Sequence, residues 1–361
     1  MIQDSDQTQA LVAKVRDAIA AGTPLVIAGG GSKAFYGHPV SGDTLSVAGH
    51  RGIVNYDPSE LVLTARAGTP LTDIEALLAQ AGQSLPFEPP NPNGRATLGG
   101  AFATGLSGPR RPWAGSARDL VLGVRLLDGH GEHCRYGGEV MKNVAGYDVS
   151  RLVTGALGTL GVITEVSLKV LPAPAAQTTR VLDIPAESGM RAVDAWYRTG
   201  HPVTGACRVD GRLMLRLAGS ASAVDVAVAD IGGEPLADAE NWWRSLADQA
   251  LPFFQAADDT PLWRIALPPL APALGLEGAS VEDWNGQLRW LRSRMEPGRL
   301  RERVRRLGGH ATLYQQGLWA GDPSVPVFEP LDPVSLRLNR NLRQAFDPRG
   351  LFNPGRMASG H

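Results

Sequence analysis

Ala96-Thr97-Leu98-Gly99-Gly100-Ala101-Phe102-Ala103-Thr104-Gly105 is the stretch on which the reading of this chain turns. It opens a segment, residues 93–161, that holds 15 of the chain's 43 glycines in under a fifth of its length. Such a local excess marks backbone that approaches something closely or turns through positive φ. Small residues beside a diphosphate let successive N–H groups converge on its oxygens as an anion-binding nest. The segment therefore reads as one wall of a dinucleotide site.

A second glycine cluster lies upstream. Leu11, Val12, Val15 and Ile19 recur at helical spacing behind Asp4-Ser5-Asp6, and Gly22 closes that helix. The short apolar run Leu25-Val26-Ile27-Ala28 then reads as a buried strand that empties into Gly29-Gly30-Gly31-Ser32-Lys33-Ala34. The hexapeptide formally satisfies the nicotinamide-cofactor fingerprint Gly-x-Gly-x-x-Gly/Ala. That fingerprint needs a long helix directly after the glycines, and Gly37 and Pro39 interrupt one here. A plain structural turn remains open. The favoured reading is a second phosphate-cradling loop, with the Ser32 hydroxyl and backbone donors facing a pyrophosphate.

Composition narrows the class. At 361 residues the chain can bury a sizeable core and divide into two domains. The balance of 35 basic against 36 acidic residues gives no bulk reason to expect nucleic acid or an acidic membrane as partner. Two cysteines, Cys134 and Cys207, suit a reducing compartment better than a disulfide framework. The start, Met1-Ile2-Gln3-Asp4-Ser5-Asp6, lacks the apolar core of a signal peptide, and no run is long and apolar enough to span a bilayer. The expectation is a cytoplasmic protein, with peripheral association with the inner face of the cell membrane left open.

Between the two clusters, Leu61–Ala67 reads as a strand, Gly68-Thr69-Pro70 as a helix start, and Leu71, Ile74, Leu77 and Leu78 as its apolar stripe. Asp119–Leu127 and the turn Gly129-His130-Gly131 read as one arm and the tip of a hairpin, and Val162–Leu171 as an alternating strand. The group His130-x-x-His133-Cys134 suggests a metal only weakly, because no third well-spaced ligand accompanies it.

The order of these blocks carries a resemblance. Gly29-Gly30-Gly31-Ser32, Val54-x-Tyr56-x-Pro58-x-x-Leu61-x-Leu63-Thr64-x-x-Ala67-Gly68, Ala96-Thr97-Leu98-Gly99-Gly100, Arg118–Gly123 and Gly158–Thr164 together resemble the PCMH-type FAD-binding domain of the vanillyl-alcohol-oxidase family. Phe346-Asp347-Pro348-x-Gly350-Leu351-Phe352-Asn353-Pro354-Gly355-Arg356 resembles the closing block of its D-2-hydroxy-acid dehydrogenase branch. Gly30–Gly37 and Met141–Asp148 look most like the smaller FAD-binding subunits of bacterial glycolate oxidases.

The resemblance implies an α+β fold. Residues 1–172 would form the FAD-binding domain (subdomains 1–56 and 57–172), 173–330 a shortened α+β cap with an antiparallel sheet, and 331–361 a helix and tail returning to the FAD domain. It implies that Gly29, Gly30, Gly31 and Ser32 form a first pyrophosphate loop and Thr97, Leu98, Gly99 and Gly100 a second. Gly105, Ser107 and Gly108 would run past the flavin ring, and Gly158, Gly161, Val162 and Ile163 would line the adenosine and ribityl side. Asp119 is either a cofactor contact or a buried carboxylate tying down a loop. With Ser32 where relatives carry a flavin-linking His, FAD would be held non-covalently.

Downstream, Arg180–Ile184, Thr204–Val209, Leu213–Leu217, Leu262–Leu267, Gln287–Arg292 and Ala311–Tyr314 read as strands, and Ser188–Thr199, Ala221–Ile231 and Gly298–Leu307 as helices. The last combines an apolar stripe, Leu300, Val304 and Leu307, with what reads as a solvated basic face. Trp242, Trp243, Trp263, Trp284, Trp290 and Trp319 read mostly as core. The Gly-Asp-Gly-Asn-x-His block of catalytic relatives is missing, so no catalytic residue or metal ligand is assigned.

Reduced flavin needs positive potential near N1 and the C2 carbonyl. Arg356, Arg110 and Lys142 are candidates for it, with surface charge as the alternative. The resemblance implies an FAD-carrying oxidoreductase subunit that works with a catalytic FAD subunit and an iron–sulfur subunit in oxidising glycolate or D-lactate. A self-sufficient FAD-dependent enzyme acting on a sugar, polyol or hydroxy acid, and a non-catalytic scaffold, stay open.

Overall fold

The computed structural model describes residues 3–139, 147–322 and 324–357. The chain divides into two compact units, one of residues 1–107, 115–173 and 330–361, the other of 108–114 and 174–329.

Unit 1 begins with α1 (Thr8–Ala21), β1 (Leu25–Ala28), β2 (Asp43–Ser46), β3 (Ile53–Asp57), β4 (Val62–Arg66), α2 (Leu71–Gln80), β5 (Gln83–Ser84) and α3 (Leu98–Thr104). After α4 (Arg111–Ala114), which belongs to unit 2, it continues with α5 (Ala117–Leu120), β6 (Val121–Leu127), β7 (His133–Gly137), α6 (Val149–Val153), β8 (Val162–Lys169) and β9 (Leu171–Pro172).

In α1, Leu11, Val15 and Ala18 fall on one face and are buried. The Asp6 carboxylate accepts the Thr8 N–H at 2.9 Å, and Gly22 ends the helix in the left-handed region at φ 68°. β1 pairs in parallel with β2, while a single bridge sets Phe352 beside Leu25 on the other edge. Leu11, Val15, Leu25, Leu45 and Phe352 share one core cluster there.

The larger sheet of unit 1 has the order β3-β4-β8-β6-β7, antiparallel throughout. α2 and α3 contribute Leu71, Ile74, Leu78, Leu98 and Phe102 to its core. β8 sits at the centre of the sheet and is buried on both faces, so the alternation expected over Val162–Leu171 is not observed. Leu98 is fully buried. A Cβ on Gly99 would lie 2.5 Å from the Ala67 Cβ, so glycine there lets α3 close onto the end of β4. The expected subdomain boundary at 56/57 falls inside β3.

Unit 2 contains β10 (Ala176–Leu182), α7 (Ala186–Arg198), β11 (Val203–Val209), β12 (Arg212–Gly219), α8 (Ala221–Ile231), β13 (Glu234–Pro235), α9 (Ala239–Ala247), β14 (Leu262–Ala266), β15 (Ser280–Asp283), β16 (Leu288–Arg292), α10 (Pro297–Arg306) and β17 (His310–Gln315). Its eight strands form one antiparallel sheet in the order β13-β10-β12-β11-β15-β16-β14-β17. Trp243, Trp263, Trp284 and Trp290 are buried, and Trp242 and Trp319 are half-buried.

The basic helix α10 departs from expectation. Arg301 is 4 % exposed, stacks 5.4 Å from the Trp263 ring, and donates to the Val327 carbonyl at 3.2 Å. Arg303 donates to the Leu274 carbonyl at 2.7 Å. These two arginines satisfy loop carbonyls instead of forming a solvated face, while Arg305 and Arg306 pair with Glu302. The chain then returns to unit 1 as α11 (Pro333–Phe346) and a tail through Arg356. Among the described residues no helix is long and apolar enough to cross a membrane.

Candidate cofactor-binding cavity

The cavity opens at the C-terminal end of β1, wholly within unit 1. The strand contributes Val26, Ile27 and Ala28, and the loop that follows contributes Gly29 to Ala34. Facing them are Thr97, Gly100, Ala103 and Thr104 from α3 and its N-cap, with Leu157, Asn353 and Arg356 completing the wall.

The two glycine clusters touch. A Cβ on Gly29 would stand 2.4 Å from Thr97 Oγ1, and one on Gly30 would stand 1.5 Å from the Arg95 carbonyl oxygen. Only residues without a Cβ permit that approach. Gly31 adopts φ 70°, which turns the loop back toward the cavity. No backbone N–H from Gly29 to Ser32 donates to another described residue, so four donors stand open along one loop. Thr97 Oγ1 is buried and also without a hydrogen-bond partner among the described residues. A buried hydroxyl left unmatched costs about 1–3 kcal/mol, which makes it a donor awaiting an acceptor.

The lining contains no Asp or Glu and two cations, Lys33 and Arg356. Lys33 is 8 % exposed, with Nζ 3.4 Å from Ser32 Oγ. Arg356 donates to the Ala34 carbonyl at 2.7 Å, and burial draws its guanidinium down from its usual value. Free amides, an unmet hydroxyl and a carboxylate-free wall fit the diphosphate of a dinucleotide.

The closing segment holds this geometry. Asn353, at φ 41°, accepts the Ile27 N–H at 2.9 Å and donates to the Leu157 carbonyl at 2.7 Å. One side chain thus ties β1, the turn before β8 and the tail together. Leu25 N donates to Leu351 O at 2.8 Å, and Asp347, 2 % exposed, accepts the N–H groups of Leu351 and Phe352 at 3.0 and 2.9 Å.

Of the residues singled out in the sequence, Gly29, Gly30, Gly31, Ser32, Thr97, Gly100 and Arg356 line the cavity. Leu98, Gly99, Gly105, Gly158, Gly161, Val162 and Ile163 do not. Gly105 ends α3 at φ 61°, where a Cβ would meet Gly155 at 3.0 Å. Gly158 faces the Asn353 amide and Gly161 the Leu127 carbonyl, while Val162 and Ile163 are buried in β8.

Ser107 accepts the Ala117 N–H at 3.2 Å, and Gly108, in unit 2, accepts the Trp284 indole N–H at 2.9 Å. Asp119 is exposed, not buried, and lies in the helical turn α5 instead of the hairpin strand. Its carboxylate accepts the Ser116 N–H at 2.8 Å, a capping role. Arg110 belongs to unit 2, with Gln177 as a partner at 3.5 Å. Lys142, with the rest of 140–146, lies outside the described residues.

Lining residues not singled out beforehand include Lys33, Thr104, Leu157 and Asn353. Lys33 and Asn353 sat inside quoted motifs, whereas nothing local marks Leu157. At the hairpin, His133 Nε2 lies 2.8 Å from Thr164 Oγ1 and His130 Nε2 3.0 Å from the Ala345 carbonyl. Among the described residues no three His, Cys, Asp or Glu side chains are grouped as a metal would require.

Comparison with known proteins follows the same line. Residues 5–137 match the family model described as "FAD binding domain". The chain is 50% identical to the glycolate oxidase subunit GlcE of Escherichia coli (strain K12) over 99% of each sequence. It is 32% identical to the glycolate oxidase subunit GlcD of Bacillus subtilis (strain 168) over 43% of this chain and 33% of that one. Alkyldihydroxyacetonephosphate synthase superposes with a TM-score of 0.67 over 97% of this chain and 76% of its own, at 15% identity, which shows a shared α+β fold.

Proposed function

The chain belongs to the family of the glycolate oxidase subunit GlcE, and from that membership we propose that it is the FAD-binding subunit of a glycolate-oxidising complex. The observation that carries this reading is 50% identity sustained over 99% of both sequences, which spans the cavity, the second unit and the tail together. FAD bound here would supply two-electron acceptance from a hydroxy acid and onward release of those electrons.

The chain's own groups do the holding. The N–H groups of Gly29 to Ser32 and the Thr97 hydroxyl would donate to the diphosphate oxygens, and Lys33 and Arg356 would oppose its charge. Asn353 would fix the spacing of the walls. With Ser32 in the first loop and no His before His38, attachment would be non-covalent. Gly105, Ser107, Gly108, Gly158, Gly161, Val162 and Ile163 remain candidates for the rest of the cofactor's length.

No base is assigned, because the sequence lacks the Gly-Asp-Gly-Asn-x-His block that catalytic relatives carry. The division of labour follows: a separate flavoprotein subunit oxidises glycolate or D-lactate, and this chain passes electrons toward an iron–sulfur subunit. Its place would be the cytoplasm. Purified alone, the chain should show a flavin absorbance spectrum, release FAD intact on acid precipitation, and reduce little dye with glycolate. Brisk glycolate or polyol turnover by the single chain would replace this reading with a self-sufficient enzyme. A colourless protein that cannot be reconstituted with FAD would leave a scaffold.

A further inference from the structure

The helix α11 carries one continuous apolar stripe, Val334, Leu338, Leu342 and Phe346, each four residues from the next. Its C-terminal half is seated: Leu342 and Phe346 pack against the core of unit 1, and the Phe346 ring lies 6.5 Å from that of Tyr136. The N-terminal half is bare. Val334 is 57% exposed, Leu338 55%, and Leu331, just before the Asp332 cap, 50%. No residue of this 14-residue helix is buried.

The bare half is also positively charged. Between Asp332 and Asp347 the sequence holds Arg337, Arg340 and Arg343 and no carboxylate. Arg337 and Arg340 are exposed and make no ion pair or hydrogen bond among the described residues. The helix start is fixed independently, with the Asp332 carboxylate accepting the Val334 and Ser335 N–H groups at 2.9 and 3.1 Å. An apolar patch of this kind held out on a firmly capped helix is an unusual surface for a protein to leave in water.

We infer that Leu331, Val334 and Leu338, flanked by Arg337 and Arg340, are the surface by which this chain docks into a groove on a partner protein with an apolar floor and a carboxylate-bearing rim. Val334 and Leu338, at i and i+4 on the helix, with Leu331 beside its N-cap, supply the anchors of a helix laid in a groove. The charge disfavours a second copy meeting helix to helix, since past the Asp332 cap, itself held by the Val334 and Ser335 N–H groups, the only charged side chains of the helix are arginines. Three exposed apolar side chains also offer little area against the apolar face that an interfacial membrane helix buries. The inference rests on the proposed multi-subunit complex and names the face that enters it.

The test co-expresses the full chain with the same organism's relatives of the large flavoprotein and iron–sulfur subunits, and reads co-elution and affinity. Val334→Asp/Leu338→Asp should weaken association at least about tenfold, with circular dichroism and FAD absorbance unchanged. Arg337→Glu/Arg340→Glu should weaken it and flatten its salt dependence. Association by both double variants within about twofold of the unaltered chain overturns the docking face and leaves the complex standing. No association by the unaltered chain sinks the face and the proposed complex together. Flotation with vesicles of anionic phospholipid, abolished by the Asp variant, would overturn the protein partner in favour of lipid.

Discussion

Replacing Thr97 by Val should move apo stability and cofactor affinity in opposite directions. The hydroxyl is 95% or more buried with its residue and finds no partner, although Gly29 and Gly100 both approach it. Val keeps the branched shape and removes the unmatched group. Relief of part of a burial penalty of about 1–3 kcal/mol should stabilise the FAD-free protein by about 1 kcal/mol. For a unit of this size that is a rise in Tm of about 2–4 °C. If the hydroxyl donates to a diphosphate oxygen, the variant forfeits a charge-assisted hydrogen bond of about 1.5–3 kcal/mol, and the Kd for FAD should rise about 10- to 100-fold. Thr97→Ser, which keeps the donor, should bind FAD nearly as the unaltered chain does. Differential scanning calorimetry without FAD and fluorescence-quenching titration with it read the two effects separately. A Val variant that binds FAD normally, or that melts lower without it, refutes the reasoning.

Other perturbations follow from the same geometry. Gly30→Ala would drive a methyl into the Arg95 carbonyl and should abolish FAD retention on desalting, whereas Gly82→Ala, where nothing lies within 4 Å of the added carbon, should retain it despite the strain of φ 63°. Asn353→Ala strands the Ile27 N–H and the Leu157 carbonyl, and urea unfolding should show a loss of about 2–4 kcal/mol. Arg301→Ala should destabilise by about 3 kcal/mol through loss of its bonds to the Ala311, Pro326 and Val327 carbonyls, its Glu329 partner and its ring contact, against less than about 0.5 kcal/mol for exposed Arg306→Ala. Burial holds the His50 and His133 imidazoles below the ordinary value of 6.5, so the unfolded chain binds protons first. The contribution of these two histidines to stability should be flat above pH 6.5 and decline as pH falls below it, and a His50→Asn/His133→Asn variant showing the same decline would refute that assignment.

How far the sequence could be read depended on which physical signal each residue leaves. Periodicity located α1, α2, α7, α8 and α10, because one buried stripe per helix survives any tertiary context. The α+β class came through the family resemblance, carried by the order of glycine blocks and the short apolar runs between them. β15, Ser280-Val281-Glu282-Asp283, escaped because it is short and polar, and α9 because Trp242 and Trp243 sit side by side and blur the spacing. Glycine density identified both clusters at the cavity but not the purpose of each glycine. Gly30 faces the site and Gly99 faces Ala67, and each demands the same missing Cβ. Arg301 misled because groups outside its own helix, such as the Ala311 and Val327 carbonyls, set its burial, whereas Asp119 serves its own helical turn by capping at Ser116.

The tail that crosses back to β1 also sets a timetable. Asn353 and Ile27 are 326 positions apart, and all of the second unit is translated between them. A nascent chain on the ribosome therefore carries both glycine loops long before Phe352 can bridge to Leu25 and Asn353 can pin the Leu157 carbonyl. Cofactor loading belongs after translation of that tail, and tags or truncations placed there act on capture of FAD before they act on anything downstream.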